Sequence, residues 1–171
     1  MFTITVCTDA GHKNAFNYGY GVWAAYIRTP HKTIRVSGVM KESCKGSTQA
    51  ELYAIANALH IVAKTYDLSK YRLILYSDNV QAINNHIQRK MKLNTKSWFR
   101  DVYDEYIRYH ISTAAEFEAR HVKAHVPHEK WGANFARHFM QDWCDREVHR
   151  LMRITINTAT KNACVYNQKS A

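Results

Sequence analysis

Phe2-Thr3-Ile4-Thr5-Val6-Cys7-Thr8-Asp9-Ala10-Gly11 opens the chain, and Arg72-Leu73-Ile74-Leu75-Tyr76-Ser77-Asp78 repeats its ending further on. In the first stretch Phe2, Ile4 and Val6 alternate with Thr3, Thr5 and Cys7, which is the period of a strand expected to stop at Asp9-Ala10-Gly11. In the second, the near-continuous apolar run Leu73 to Tyr76 marks a central strand covered on both faces. Each run closes on a hydroxyl residue followed by a carboxylate, Thr8-Asp9 and Ser77-Asp78. When such strands run parallel in an open sheet, their carboxyl ends lie side by side in the crevice where ligands bind. Two aspartates held that close repel, and one would be driven to protonate unless a cation neutralised the pair. Oxygen-only ligands select magnesium or manganese over zinc. The plainer alternative is that each Asp merely begins a turn.

Outward from these two strands, Gly19 to Arg28 and Thr33 to Lys41 are extended and are separated by the turn Thr29-Pro30-His31-Lys32, which predicts an antiparallel meander. From Ser47 the period changes: Leu52, Ile55, Ala56, Leu59, Val62 and Ala63 form one apolar stripe and predict a helix over 48–65. A short helix is expected over 79–87, another around Trp98, Val102 and Ile107, and a last strand over 114–122. Ala133, Ala136, Met140, Trp143, Val148 and Leu151 give a closing helix. Strands first, then strands alternating with helices, indicate an α/β domain built on a mixed sheet. With no internal repeat or linker, the expectation is one domain over 1–152 and a loosely held tail over 153–171, where periodicity lapses.

At 171 residues with 46% hydrophobic content, the chain can bury a core without disulfides or a structural metal. Lys plus Arg number 24 against 14 Asp plus Glu, a formal charge of +10, so polyanions are the expected partners and nucleic acid is foremost among them. No stretch approaches the roughly 20 apolar residues of a spanning helix. Phe2 to Val6 is too short and polar for a secretory signal, so a soluble cytoplasmic monomer is expected. Cys7, Cys44, Cys144 and Cys164 are widely spaced and form no Cys-x-x-Cys pair, which fits reduced thiols.

A third carboxylate, Glu51, falls in the first turn of the long helix, one step from its apolar stripe, and can lean towards the sheet. Thr48-x-x-Glu51 is equally a capping box, in which Glu51 would serve only the helix start. Near the C-terminus, Asp142 and Asp145 follow a His-rich loop, and zinc held by His121, His125 and His128 is conceivable although no Cys joins them.

Thr8-Asp9-Ala10-Gly11, Tyr18-Gly19-Tyr20-Gly21, Ser47-Thr48-Gln49-Ala50-Glu51-Leu52, Tyr76-Ser77-Asp78, Val122-Lys123-Ala124-His125 and Trp143-Cys144-Asp145 together resemble the type 1 ribonucleases H, over about residues 2–150. Each motif is short, but their order and their placement on strands and helices make the set specific. The resemblance implies the RNase H-like fold: a five-stranded mixed sheet, its first three strands antiparallel and its first, fourth and fifth parallel, flanked by helices. It implies Asp9, Glu51, Asp78 and Asp145 as metal-binding carboxylates and His125 as the histidine of a loop beside them. It favours Asp145 over Asp142, because Cys144-Asp145 reproduces the family pattern. The stretch from His125 to Asp145 is longer than in the common bacterial form, with His128-Glu129-Lys130-Trp131-Gly132 as an insertion.

The implied reaction is a two-metal hydrolysis of the RNA strand of an RNA·DNA hybrid, leaving 5′-phosphate and 3′-hydroxyl ends. Asp9 would bind both Mg2+ ions (Mn2+ being a possible substitute), Glu51 and Asp78 one, Asp145 the other, and His125 would assist proton transfer or product departure. Reading RNA requires contact with the 2′-hydroxyl, for which Gln49 and backbone groups near Gly11 are candidates, although Gln49 is equally a solvated helix-start residue. Arg89, Lys90, Lys92 and Lys96, before Trp98, stand where the family carries a basic protrusion that grips the DNA strand; a solvated charged loop is the alternative. Two other functions compete, a non-catalytic hybrid-binding module and a DNA nuclease or junction resolvase on the same fold. A module without chemistry would gain nothing from an acidic cluster inside a basic protein.

Overall fold

In the computed structural model, which describes residues 1–87 and 102–169, β1 (Phe2–Ala15), β2 (Tyr18–Arg28) and β3 (Thr33–Val39) form the antiparallel meander. β4 (Tyr71–Ser77) and β5 (Glu116–His121) run parallel to β1, and the strand order is β3-β2-β1-β4-β5. This is the mixed five-stranded sheet expected from the sequence. β1 does not stop at Asp9, however. It pairs with β4 only as far as Thr8↔Ser77, then continues against β2 alone to Ala15↔Tyr18. The ladder to β2 still satisfies its backbone, and the reversal comes at Phe16 and Asn17, both at positive φ (51° and 58°), the two-residue hairpin geometry that suits the twist of the strands.

The sheet separates two apolar layers. On one face α1 (Ser47–Thr65) lays Leu52, Ile55, Leu59 and Val62 over Ile4, Val6, Ile27, Leu73 and Leu75, all of them buried. α2 (Val102–Thr113) packs beside α1 and buries Ile107. On the other face α3 (Phe135–Lys169) sets Met140, Cys144 and Val148 against Cys7, Val22, Ala24, Tyr26 and Tyr76. The alternation along β1 supplies both layers, even positions facing α1 and odd positions facing α3. Between β4 and α2 the chain makes a π-helical stretch, Ala82–Ile87, whose start is capped by the Asn79 side chain accepting from the Ala82 amide at 2.8 Å.

α3 runs well past Leu151, so residues 153–169 are helical and not the loose tail expected from the lapse in periodicity. No Gly or Pro follows Gly132, and the backbone ladder of a helix needs no apolar face to continue. Thr158 and Thr160 turn their hydroxyls back onto the carbonyls of Ile154 and Ile156 instead of competing with the helix. The hydrophobic period reports where α3 packs, not where it ends. Among the described residues, no helix is long and apolar enough to cross a membrane.

The strand β2 is tied to the approach to α1 at Gly19. Its carbonyl accepts from the Cys44 amide at 2.7 Å and its amide donates to Ser43 Oγ at 3.1 Å. A Cβ at Gly19 would stand 1.8 Å from the Cys44 carbonyl oxygen, which is backbone and has no rotamer in which to escape. Gly19→Ala should therefore destabilise the protein by about 2–3 kcal/mol in urea unfolding, the cost of forcing two backbones apart. A midpoint unchanged from the parent would show that this junction yields freely.

Candidate active site

Asp9 and Asp78 are brought together by register. Because Thr8 pairs with Ser77 across two parallel strands, the next residue on each lies at the same edge, where β4 has ended and β1 goes on. Asn79 turns the chain away immediately afterwards, its amide donating to Ser77 Oγ at 3.1 Å. α1 contributes Glu51 from the opposite layer. The capping-box role is not the one it takes: Gly46 is the N-cap, without a side-chain capping bond, and Thr48 Oγ1 donates to Gln81 Oε1 at 3.1 Å. Glu51 Oε1 instead accepts from the Ala10 amide at 3.1 Å, the same N–H that donates to Asp9 Oδ1 at 2.9 Å. One backbone donor thus holds two carboxylates. An oxygen from each of Asp9, Glu51 and Asp78 lies within 4.8 Å of the others.

α3 supplies Asp145. Cys144 Sγ rests on the Cys7 carbonyl at 3.5 Å, and the next residue then faces the end of β1. Gly11 allows this approach, since a Cβ there would come within 2.9 Å of Val148 Cγ1. Asp145 stands between two histidines, with His125 Nδ1 3.7 Å from Oδ2 and His149 Nε2 3.4 Å from Oδ1. Asp142 looks elsewhere and pairs with Arg146 at 2.8 Å. Asp9, Glu51, Asp78, His125 and Asp145 all line one cleft of about 430 Å3, together with Gly11 and Asn79. Lys13 and the imidazoles of His12, His125 and His149 line the same cleft as the carboxylates.

The electrostatics of the floor are unfavourable as it stands. Burial, then the charges of Asp78 and Asp145, push the Asp9 carboxyl up to about 8. Glu51 is lifted well above the usual carboxylate range by burial and then by Asp9 and Asp78. Asp78 is raised too, by burial ahead of the Asp145 charge. Glu51 Oε2 is fully buried and has no hydrogen-bond partner. An anionic oxygen in that position, among other carboxylates, is suited to a divalent cation and to little else. The zinc alternative finds no support: His121 contacts the Asp78 carbonyl, His125 faces Asp145 and His128 faces Asp142. Among the described residues the carboxylates, not these histidines, form the group that could hold a metal.

Of the candidate nucleic-acid contacts, Gly11 lines the cleft, whereas Gln49 does not and accepts the Lys45 amide at 2.7 Å through Oε1. Arg89, Lys90, Lys92 and Lys96 lie outside the described residues. The sequence reading missed His12, Lys13, Asn79 and His149. His149 had a usable signal, because it falls four residues after Asp145 on the same helix face.

A family model described as RNase H matches residues 2–141. The match ends before Asp145, whose place in the site rests on the packing of α3. No curated protein matches the chain. Among solved structures, the N-terminal RNase H domain of a Mycobacterium tuberculosis protein is similar at 13% identity and a TM-score of 0.63, over 92% of this chain and 99% of that one. RNase H1 from the archaeon Halobacterium salinarum is similar at 16% identity and a TM-score of 0.57, over 86% and 98%. LC11-RNase H1 in complex with an RNA/DNA hybrid is similar at 14% identity and a TM-score of 0.59, over 88% and 99%.

Proposed function

This chain belongs to the RNase H family, and from that premise we propose that it hydrolyses the RNA strand of RNA·DNA hybrids, leaving 5′-phosphate and 3′-hydroxyl ends. The convergence of Asp9, Glu51 and Asp78 within 4.8 Å, with Glu51 Oε2 buried and unpartnered, carries the reading. A structural relative bound to an RNA/DNA hybrid supports the choice of substrate. The charge of +10 supports a polyanion as partner.

Asp9, Glu51, Asp78 and Asp145 are the residues that would hold divalent ions, with magnesium first and manganese as a substitute. Such ions would activate the attacking water and offset the negative charge developing on the phosphate and the departing 3′ oxygen. Glu51 enters the site already oriented, its Oε1 held by the Ala10 amide and its Oε2 left for the ion. Asp9 is oriented by the same amide, and its carboxyl feels the charges of both Asp78 on the neighbouring strand and Asp145 on α3. His125 is largely exposed beside Asp145, placed to carry a proton to or from the reacting phosphate. Lys13, His12 and His149 line the cleft as cationic or hydrogen-bonding groups for the sugar-phosphate backbone. The backbone at Gly11, which lines the cleft, is the proposed reader of the 2′-hydroxyl, with Gln49 contributing through its side-chain NH2, since its Oε1 holds the Lys45 amide. The protein is read as a monomer.

One labelled RNA strand, presented in magnesium as a single strand, paired to RNA and paired to DNA, tests the proposal on a denaturing gel. Cleavage confined to the DNA-paired form is the expected result. Cutting of duplex DNA or of four-way junctions with the hybrid untouched would identify a different nuclease on this fold. Tight hybrid binding with no cleavage of any substrate would identify a binding module.

A further inference from the structure

The loop that carries His125 is fastened at both ends. Upstream, Val122 is buried and its amide donates to the Ser77 carbonyl at 3.0 Å, at the end of β4. Downstream, Trp131 is buried to 4% exposure, although it lies in the polar stretch His128-Glu129-Lys130-Trp131-Gly132. Its indole N–H donates to the Val126 carbonyl at 2.8 Å, closing the loop directly after His125. The residues between are folded into a 3-10 turn, His128–Lys130, with the Lys130 amide on the Pro127 carbonyl at 2.9 Å and the Trp131 amide on the His128 carbonyl at 3.1 Å. The Trp131 ring is then seated on α3, stacked against His138 at 6.2 Å and edge-on to Phe135 at 5.3 Å. Phe135 stacks on Phe139, which meets Tyr26 of β2, so the contact continues into the core.

His125 itself takes φ +53°, a left-handed conformation that residues other than glycine adopt rarely. An exposed side chain on a strained residue keeps one position only if the surrounding backbone holds it there. The neighbouring carbonyl, Val126, is what Trp131 holds.

We propose that Trp131 is a positioning residue, clamping the loop so that His125 stays beside Asp145. This rests on the role given above to His125 and adds to it: the stretch His128–Trp131 works as a support for the loop that carries His125. Tryptophan fits the position because it offers a large apolar ring for burial and a single N–H to spend on the carbonyl.

Trp131→Phe keeps the ring and deletes the donor. It should lower kcat by about three- to tenfold with KM within about twofold and melting little changed, since one hydrogen bond is lost and the hydrophobic seat remains. In a His125→Ala background the same change should have no further effect on kcat, because there is nothing left to position. Amide hydrogen exchange over 125–131 in the folded protein should quicken. An equal loss of kcat in both backgrounds, or unchanged exchange, would overturn the clamp. If His125→Ala alone leaves the rate untouched, or no hybrid is cut by the parent, the fault lies with the catalytic reading, and the exchange measurement still decides the clamp.

Discussion

Asp9→Asn is expected to lower the single-turnover rate of hybrid cleavage by roughly a thousandfold or more, the scale on which a preorganised charge at a reacting phosphate matters. Asn has the shape of Asp, so the Ala10 amide keeps an acceptor and β1 keeps its pairing with β2. What disappears is one carboxylate of the cluster, the one that feels the charges of both Asp78 and Asp145. Affinity for the hybrid should hold or tighten, because one negative charge has been removed from beneath a polyanion. Fluorescence anisotropy with a labelled hybrid, beside a cleavage time course, separates the two effects. A variant that cuts within about tenfold of the parent rate would remove Asp9 from the chemistry, since general effects on folding or binding would not spare the rate so nearly.

The second large effect is on stability, and it depends jointly on pH and metal. In the folded protein Asp9 is pushed up to about 8 from its ordinary 3.8, with Glu51 and Asp78 raised in the same direction by burial and by one another. Across that interval the folded state binds protons more tightly than the unfolded chain does. The stability this confers is complete below the unfolded value and is lost as pH rises through the folded one. In EDTA the melting temperature should therefore fall by about 5 °C or more between roughly pH 6.5 and pH 8.5, and millimolar magnesium should restore it. His110 and His138 act in the opposite sense. Burial lowers both, so their contribution is present above the ordinary histidine value of 6.5 and is lost on acidification. Working above that value isolates the carboxylates. Asp9→Asn should flatten the slope and melt higher than the parent in EDTA at the alkaline end. A parent protein indifferent to both pH and magnesium in this range would mean that the carboxylates do not share one buried site.

How much of this was legible beforehand depends on what each residue had to reveal. The endings Thr8-Asp9 and Ser77-Asp78 carried the sheet and half the site together, because parallel strands with the same terminal pattern place their carboxylates alike once the register is set. Glu51 was ambiguous for a physical reason. A Glu three residues into a helix can reach back to its own cap or sideways to a neighbouring strand, and the local spacing is identical in the two cases. The hydrogen bond from Ala10, a residue far away in the chain, decides between them.

Asp142 and Asp145 posed the same difficulty on α3: both are carboxylates on one helix, and only the seating of Cys144 on Cys7 turns Asp145 rather than Asp142 towards β1. Trp131 looked like part of a polar insertion because its burial depends on His138 and Phe135, which follow it on a helix that local pattern does not orient.

The sequence by itself determined the strand and helix periods, the order of the elements and the short motifs bearing Asp9, Glu51, Asp78 and Asp145, since periodicity and residue type are local properties of a chain. Tertiary structure alone decided that β1 continues past Asp9, where its pairing with β2 sustains it. It also decided which carboxylates face one another and which residue closes the histidine loop, because hydrogen-bond partners and burial are settled by segments that meet only in the folded protein.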